Sequence, residues 1–193
     1  MGASNRYDLL MSAAEMRAEG RRQQWVQYGF LVAAVALLAF GLGHRRGQSG
    51  GLAPVGSRRA MPELVLDQLG GGSWRVADHR GQVVLINYWA TWCGPCVEEM
   101  PGLARLARET KGLAVVGISM DEGDQGKVKA FVDRLQVPYP VVFPGPMSQM
   151  TTGMEGLPTT ILVDKSGRVA KTYVGAVRRG DFETDVNVLL KER

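Results

Sequence analysis

Two residues in the chain carry thiols, Cys93 and Cys96, and they stand with two residues between them in Trp92-Cys93-Gly94-Pro95-Cys96. Thiols at that spacing can close into a disulfide and exchange it with another disulfide through a mixed-disulfide intermediate. The alternative for such a pair is half of a zinc site. A four-ligand zinc site needs two more Cys or His. Only His44 and His79 remain, and neither is in ligand spacing with the pair. No metal and no cofactor are expected, since dithiol chemistry resides in the two sulfurs.

The flanking residues say how the sulfurs are held. Val83-Val84-Leu85-Ile86-Asn87-Tyr88-Trp89 is a near-continuous apolar run, as expected of a central strand buried on both faces. A helical pattern with Leu103, Leu106 and Ala107 follows the cysteines and ends by Gly112. The pair therefore falls at a strand-to-helix junction. There the helix dipole and the unpaired backbone N–H groups favour a thiolate, the attacking species. Cys93, at the exposed tip, is expected to be the nucleophile, and Cys96, one turn deeper, to resolve the mixed disulfide. Pro95 has a fixed φ and no N–H, which suits a first helical turn.

The remaining pattern is that of one α/β domain starting near Met61. Glu63–Leu66 and Ser73–Val76 flank Gly70-Gly71-Gly72 and read as a β-hairpin. Asp78-His79-Arg80-Gly81 reads as a turn, with His79 solvated. Leu113–Met120 is the next buried strand, joined to the first by a right-handed crossover. Asp121–Gln136 reads as a helix with Val128, Phe131, Val132 and Leu135 on one side, and Val137–Phe143 as a short strand. Thr159–Val163 and Arg168–Val174 surround the turn Asp164-Lys165-Ser166-Gly167. A last helix opens at Gly180-Asp181-Phe182 and turns Phe182, Val186, Leu189 and Leu190 to the sheet.

Upstream the chain is different. Residues 1–24 read as a polar, weakly helical tail. Residues 25–43 are uncharged and bracketed by Arg22 and Arg45. As a helix they would span about 28 Å, close to the ~30 Å hydrocarbon core of a bilayer. Trp25 and Tyr28 would lie at the interface. No clear A-x-A cleavage site follows, so one uncleaved transmembrane anchor is expected. The arginines flanking it balance, so the positive-inside rule gives no orientation. Residues 44–60, rich in Gly, Ser and Pro, read as a flexible linker, and residues 61–193 as the folded domain. A composition of 45% hydrophobic and 22% charged residues is ordinary for a globular chain. Its net charge of +4 is spread rather than clustered, so no nucleic-acid function is read.

The cysteine stretch resembles the thioredoxin superfamily. Trp92-Cys93-Gly94-Pro95-Cys96 matches that family's active-site sequence, and Pro101 stands where its kink proline does. Gly156-Leu157-Pro158-Thr159-Thr160 looks like its cis-proline segment. Asn87-Tyr88-Trp89-Ala90-Thr91-Trp92-Cys93, Glu99-Met100-Pro101 and the extra segment after Asp121 are similar to the TlpA/ResA-like branch of membrane-anchored thiol–disulfide oxidoreductases. The resemblance covers residues 61–191. It implies a thioredoxin fold, a mixed central sheet flanked by helices, with an N-terminal β-hairpin and a central insertion. It implies a catalytic role for Cys93 and Cys96. Substrate contacts would come from Trp92, Gly94, Pro95, Leu157 and Pro158. Asn87 replaces the buried Asp of thioredoxin. By the same resemblance Glu99 is a candidate substitute, with the neighbouring Glu98 as its control; both would also suit a helix surface near its N-terminus.

The resemblance also places the domain on the outer side of a bacterial cytoplasmic membrane, facing the periplasm or cell exterior. It names disulfide-containing proteins as substrates, among them apocytochrome c or copper-site assembly proteins, and a membrane electron donor as partner. The leading expectation is a thiol–disulfide reductase. A Cu(I) chaperone is the alternative, since thiolate and thioether suit Cu(I) and Met147, Met150 and Met154 precede the cis-proline segment. Met also fills cores and grooves well, the simpler reading of that cluster. A thiol peroxidase would carry P-x-x-x-[ST]-x-x-C, but Ile86 and Ala90 occupy the Pro and Ser/Thr positions.

Overall fold

The computed structural model describes residues 51–144 and 155–192. The expected tail (1–24), membrane anchor (25–43) and start of the linker (44–50) lie outside the described residues, as do Met147, Met150 and Met154. Among the described residues no helix is long and apolar enough to cross a membrane.

Seven strands form one mixed sheet. In chain order they are β1 (Val65–Gln68), β2 (Ser73–Arg75), β3 (Val83–Trp89), β4 (Leu113–Ser119), β5 (Val141–Phe143), β6 (Thr159–Val163) and β7 (Val169–Val174). Their spatial order is β2-β1-β5-β4-β3-β6-β7. The pairs β3–β4 and β4–β5 are parallel; β3–β6, β6–β7, β1–β2 and β1–β5 are antiparallel. Among the described residues three α-helices flank the sheet: α1 (Gly94–Glu109), α2 (Gln125–Arg134) and α3 (Arg179–Lys191).

The apolar run of β3 is buried along its whole length, because each face of the sheet has its own core. On one face Val83 and Leu85 meet Leu103 and Leu106 of α1 and Phe182, Val186 and Leu189 of α3. On the other Val84, Ile86 and Tyr88 meet Leu66, Trp74, Ile118 and Val142. A third cluster sits at the C-terminal end of β3, where Trp89, Cys93, Cys96 and Met100 meet Val128 and Val132 of α2 and Phe143 of β5. Leu190, expected on the sheet side of α3, is only partly buried there.

Four expectations are corrected. The helix read over Asp121–Gln136 is shorter, because Asp124 caps it by accepting from the Gly126 N–H at 2.8 Å. Asp121 stays outside and bonds elsewhere, while Phe131 and Leu135 are only partly buried. The strand read over Val137–Phe143 reduces to Val141–Phe143, since Pro138 and Pro140 cannot donate to a ladder. The linker read to residue 60 ends earlier: residues 51–60 are part of the domain. Ala53 N–H donates to Ala170, Met61 N–H to Gly167, and Ala60 bridges Arg168. Arg58 is 8% exposed and spans Asp164 at 3.1 Å and Glu192 at 2.6 Å. A guanidinium that forks to two carboxylates cannot lie in a loose tether. His79 is likewise not simply solvated, since its ring stacks on Trp74.

Candidate active site

Cys93 is the N-cap residue of α1, and Cys96 falls in its first turn, where the Cys96 N–H points back to the Cys93 sulfur at 3.3 Å. Pro95 fills the first turn without losing a bond, because its missing N–H would have had no intrahelical partner. The two sulfurs are joined as a disulfide. Cys93 is 6% exposed and Cys96 1%, so the order of depth is as expected, but Cys93 is no exposed tip. It packs into the cluster of Trp89, Ala90 and Met100. Exposure passes instead to Trp92, at 70%, and to Gly94 and Pro95.

Leu157 packs against the same cluster as the cysteines, and the Leu157–Pro158 bond is cis. Pro158 is buried and its carbonyl accepts from Gly175. The backbone N–H and carbonyl of Leu157 have no partner among the described residues.

Glu99 and Glu98 part company in the structure. A step of one residue turns about 100° around a helix, so Glu98 is exposed and Glu99 is 8% exposed. The Glu99 Oε1 accepts from the Asn87 amide at 2.7 Å, and Oε2 from the Val177 N–H at 3.3 Å. The Asn87 amide also donates to Thr160 Oγ1 at 3.0 Å. Burial pushes the Glu99 carboxyl up to about 7, against the opposing pull of the Val177 and Asn87 hydrogen bonds. Burial disfavours the charged form, and a value near neutrality suits a group that takes and returns a proton. Glu98 and Glu99 line a cleft of about 320 Å³ with Pro95, Val177, Arg178 and Arg179.

Sequence reasoning passed over Asp121. Its carboxylate accepts from the Thr91 N–H, the Thr91 hydroxyl and the Ser119 hydroxyl. It therefore ties the segment before Cys93 to the end of β4. The signal was an Asp at the end of an apolar strand, read instead as a helix start. Among the described residues no group of three or more His, Cys, Asp or Glu could hold a metal ion.

A disulfide at the N-terminus of the helix after a central strand, beside a buried carboxyl and a cis-proline segment, defines a thioredoxin-fold thiol–disulfide oxidoreductase. The comparisons agree. The Redoxin family model matches residues 54–189. The thiol-disulfide oxidoreductase ResA of Geobacillus thermodenitrificans is 33% identical over 132 residues, 67% of this chain and 74% of that one. The thioredoxin-like protein YneN of Bacillus subtilis is 29% identical over 130 residues, 66% and 76% of the two chains. Among solved structures, a secreted thiol-disulfide isomerase of Corynebacterium glutamicum aligns with a TM-score of 0.68 and 26% identity, covering 76% of this chain and 95% of that one. The chain belongs to the Redoxin family, in the TlpA/ResA-like branch of the thioredoxin superfamily. Its substrates are disulfide-containing proteins.

Proposed function

We propose that this oxidoreductase works as a reductase, held by a helix over residues 25–43 on the outer face of a bacterial cytoplasmic membrane. The Cys93 thiolate attacks a substrate disulfide, and the substrate's leaving sulfur carries off the electron pair. Cys96 then attacks Cys93, closing the disulfide and releasing the second substrate sulfur. Glu99 accepts the Cys96 proton and returns it. Trp92, Gly94, Pro95, Leu157 and Pro158 form the bed for the substrate segment. A membrane dithiol donor restores the reduced pair. By likeness to the branch, apocytochrome c haem-site thiols and copper-site cysteines of oxidase assembly proteins are the substrates to try first.

The observation that carries this reading is the placing of Glu99. It is a buried carboxyl on the helix that bears both cysteines, held by Asn87 and Val177. The reducing direction rests on the Gly94-Pro95 dipeptide, shared with thioredoxin. The test is the equilibrium potential of the Cys93–Cys96 pair, read by thiol trapping across a redox buffer series. A value at or below about −230 mV supports a reductase, and one near about −120 mV makes the protein a disulfide donor. The Cu(I) chaperone reading gains nothing from the structure, as Met147, Met150 and Met154 lie outside the described residues.

A further inference from the structure

Among the described residues, three buried side chains under α1 leave a polar atom without a protein partner: Asn87 Oδ1, Trp89 Nε1 and the Tyr139 hydroxyl. Asn87 and Trp89 are fully buried and Tyr139 is 6% exposed. Two come from β3 and the third from the segment before β5, and all three border the Gly117 position of β4. Asn87 and Trp89 are two apart on β3, so they share the face that α1 covers. Asn87 is the register partner of Gly117 on β4, whose N–H donates to the Pro140 carbonyl next to Tyr139. A Cβ at Gly117 would lie 2.8 Å from Trp89 Nε1 and 3.2 Å from Tyr139 Cε2. The indole N–H and the hydroxyl-bearing edge of the phenol therefore flank the one strand position without a side chain.

Nearly all buried polar groups in folded proteins are satisfied by protein or by internal water. A buried water makes about three hydrogen bonds, and this trio matches one: it accepts from the indole N–H, donates to the amide oxygen, and does either with the phenol.

We propose that Asn87, Trp89 and Tyr139 build an internal water site behind Glu99, which stabilises the ionised carboxylate that receives the Cys96 proton. The function of that water rests on the proton-acceptor role given to Glu99 above; its existence does not. Trp89 and Tyr139 are positioning residues. In the resolving step Cys96 gives up its proton to the Glu99 carboxylate and attacks Cys93. The Cys93–substrate bond breaks, and the substrate thiolate leaves with the electron pair, to be protonated in turn. A carboxyl ringed by apolar groups alone would stay protonated and could not accept. The other groups around Glu99 are Cys96 and Glu98 on its own helix, Asn87 on β3, Thr160 on β6, Tyr139 before β5, and Val177, Arg178 and Arg179 before and at the start of α3. Tyr139 is close enough for the Glu99 charge to act on its ionisation.

The test is a carbon-13 NMR titration of the Glu99 carboxyl in the full chain, its resonance identified by loss in Glu99→Gln. In Tyr139→Phe, which removes a single oxygen, the Glu99 midpoint should move up by about one unit, a tenfold change in its ionisation constant. Trp89→Phe should move it in the same direction. An unchanged Glu99 titration in Tyr139→Phe overturns the water site whether or not Trp89→Phe folds. The Cys96 thiol titration in Glu99→Gln is a separate reading: if it does not change, the proton-acceptor role falls, while a carboxyl shifted in both Tyr139→Phe and Trp89→Phe supports the shared water site, and a shift in Tyr139→Phe with none in a folded Trp89→Phe overturns it in favour of direct coupling of Tyr139 to Glu99.

Discussion

Asn87 donates to the buried carboxylate of Glu99 at 2.7 Å. By the resemblance to thioredoxin, this amide stands where that family has a buried acid, and here the buried acid is on the helix above the strand. The amide that remains now orients the carboxyl. The Val177 backbone holds the second oxygen of that carboxyl.

Stability should therefore depend on pH through Glu99. Its folded-state pKa, about 7, is raised above the ordinary 4.5. The contribution is fully present below the unfolded value and is lost as pH rises through the folded one. The wild type should weaken relative to Glu99→Gln between about pH 4.5 and 7.5, by of order 3 kcal/mol. A glutamine oxygen can keep only one of the two hydrogen bonds, which adds an offset independent of pH. The slope is therefore the observable, taken from urea unfolding across a pH series. Parallel curves for the two proteins would count against a buried, titrating Glu99.

The two cysteines should differ in what they trap. Cys96→Ser leaves the attacking sulfur without its resolving partner, so protein adducts should accumulate that a small dithiol releases. Cys93→Ser should yield none, and turnover should fall to background in both. Adducts on Cys96 rather than Cys93 in the paired variants would reverse the assigned roles.

Asp121→Ala should loosen the segment that precedes Cys93. It removes the acceptor for the Thr91 N–H and hydroxyl and for the Ser119 hydroxyl. A loss of about 1–3 kcal/mol is expected for leaving such groups unpaired. Hydrogen exchange at the Thr91 amide should quicken well before the β3 amides do. Protection at Thr91 equal to wild type would show that the loop is held by something else.

Arg58→Ala should destabilise the fold by about 3 kcal/mol, the low end for breaking a buried ion pair. Asp164 keeps Arg168 and two backbone N–H groups, which softens the loss. Arg58→Met should recover part of it by filling the same space. Neither change should move the redox potential, because the cluster lies beyond the opposite end of β3 from the cysteines. A shifted potential would reveal coupling across the whole sheet.

What could be read in the sequence follows from the range of the interactions involved. The seven-residue apolar run of β3, the glycines of the first hairpin and the Cys-Gly-Pro-Cys cap are local patterns, and the structure keeps them. Arg58 could not be read, since its partners lie 106 and 134 residues away and its surroundings in the chain are those of a linker. Asp121 was misread because an Asp before a helical pattern is usually a cap; here Asp124 takes that part. Asn87 did carry a signal: it is the one polar residue in an otherwise apolar buried strand, and it needed a partner. Tyr139 sat between two prolines with no periodicity around it. Only the pairing of β4 with β5 brings it over Gly117.

The Arg58 cluster fixes where the chain enters the domain, and that determines reach. Residues 51–61 join beside Gly167 and Ala170, at the start of β3, whereas the disulfide lies just past its end. β3 alone spans about 20 Å at ~3.3 Å per residue. The sheet thus acts as a boom that sets the disulfide at a fixed stand-off from the point where the chain enters the domain.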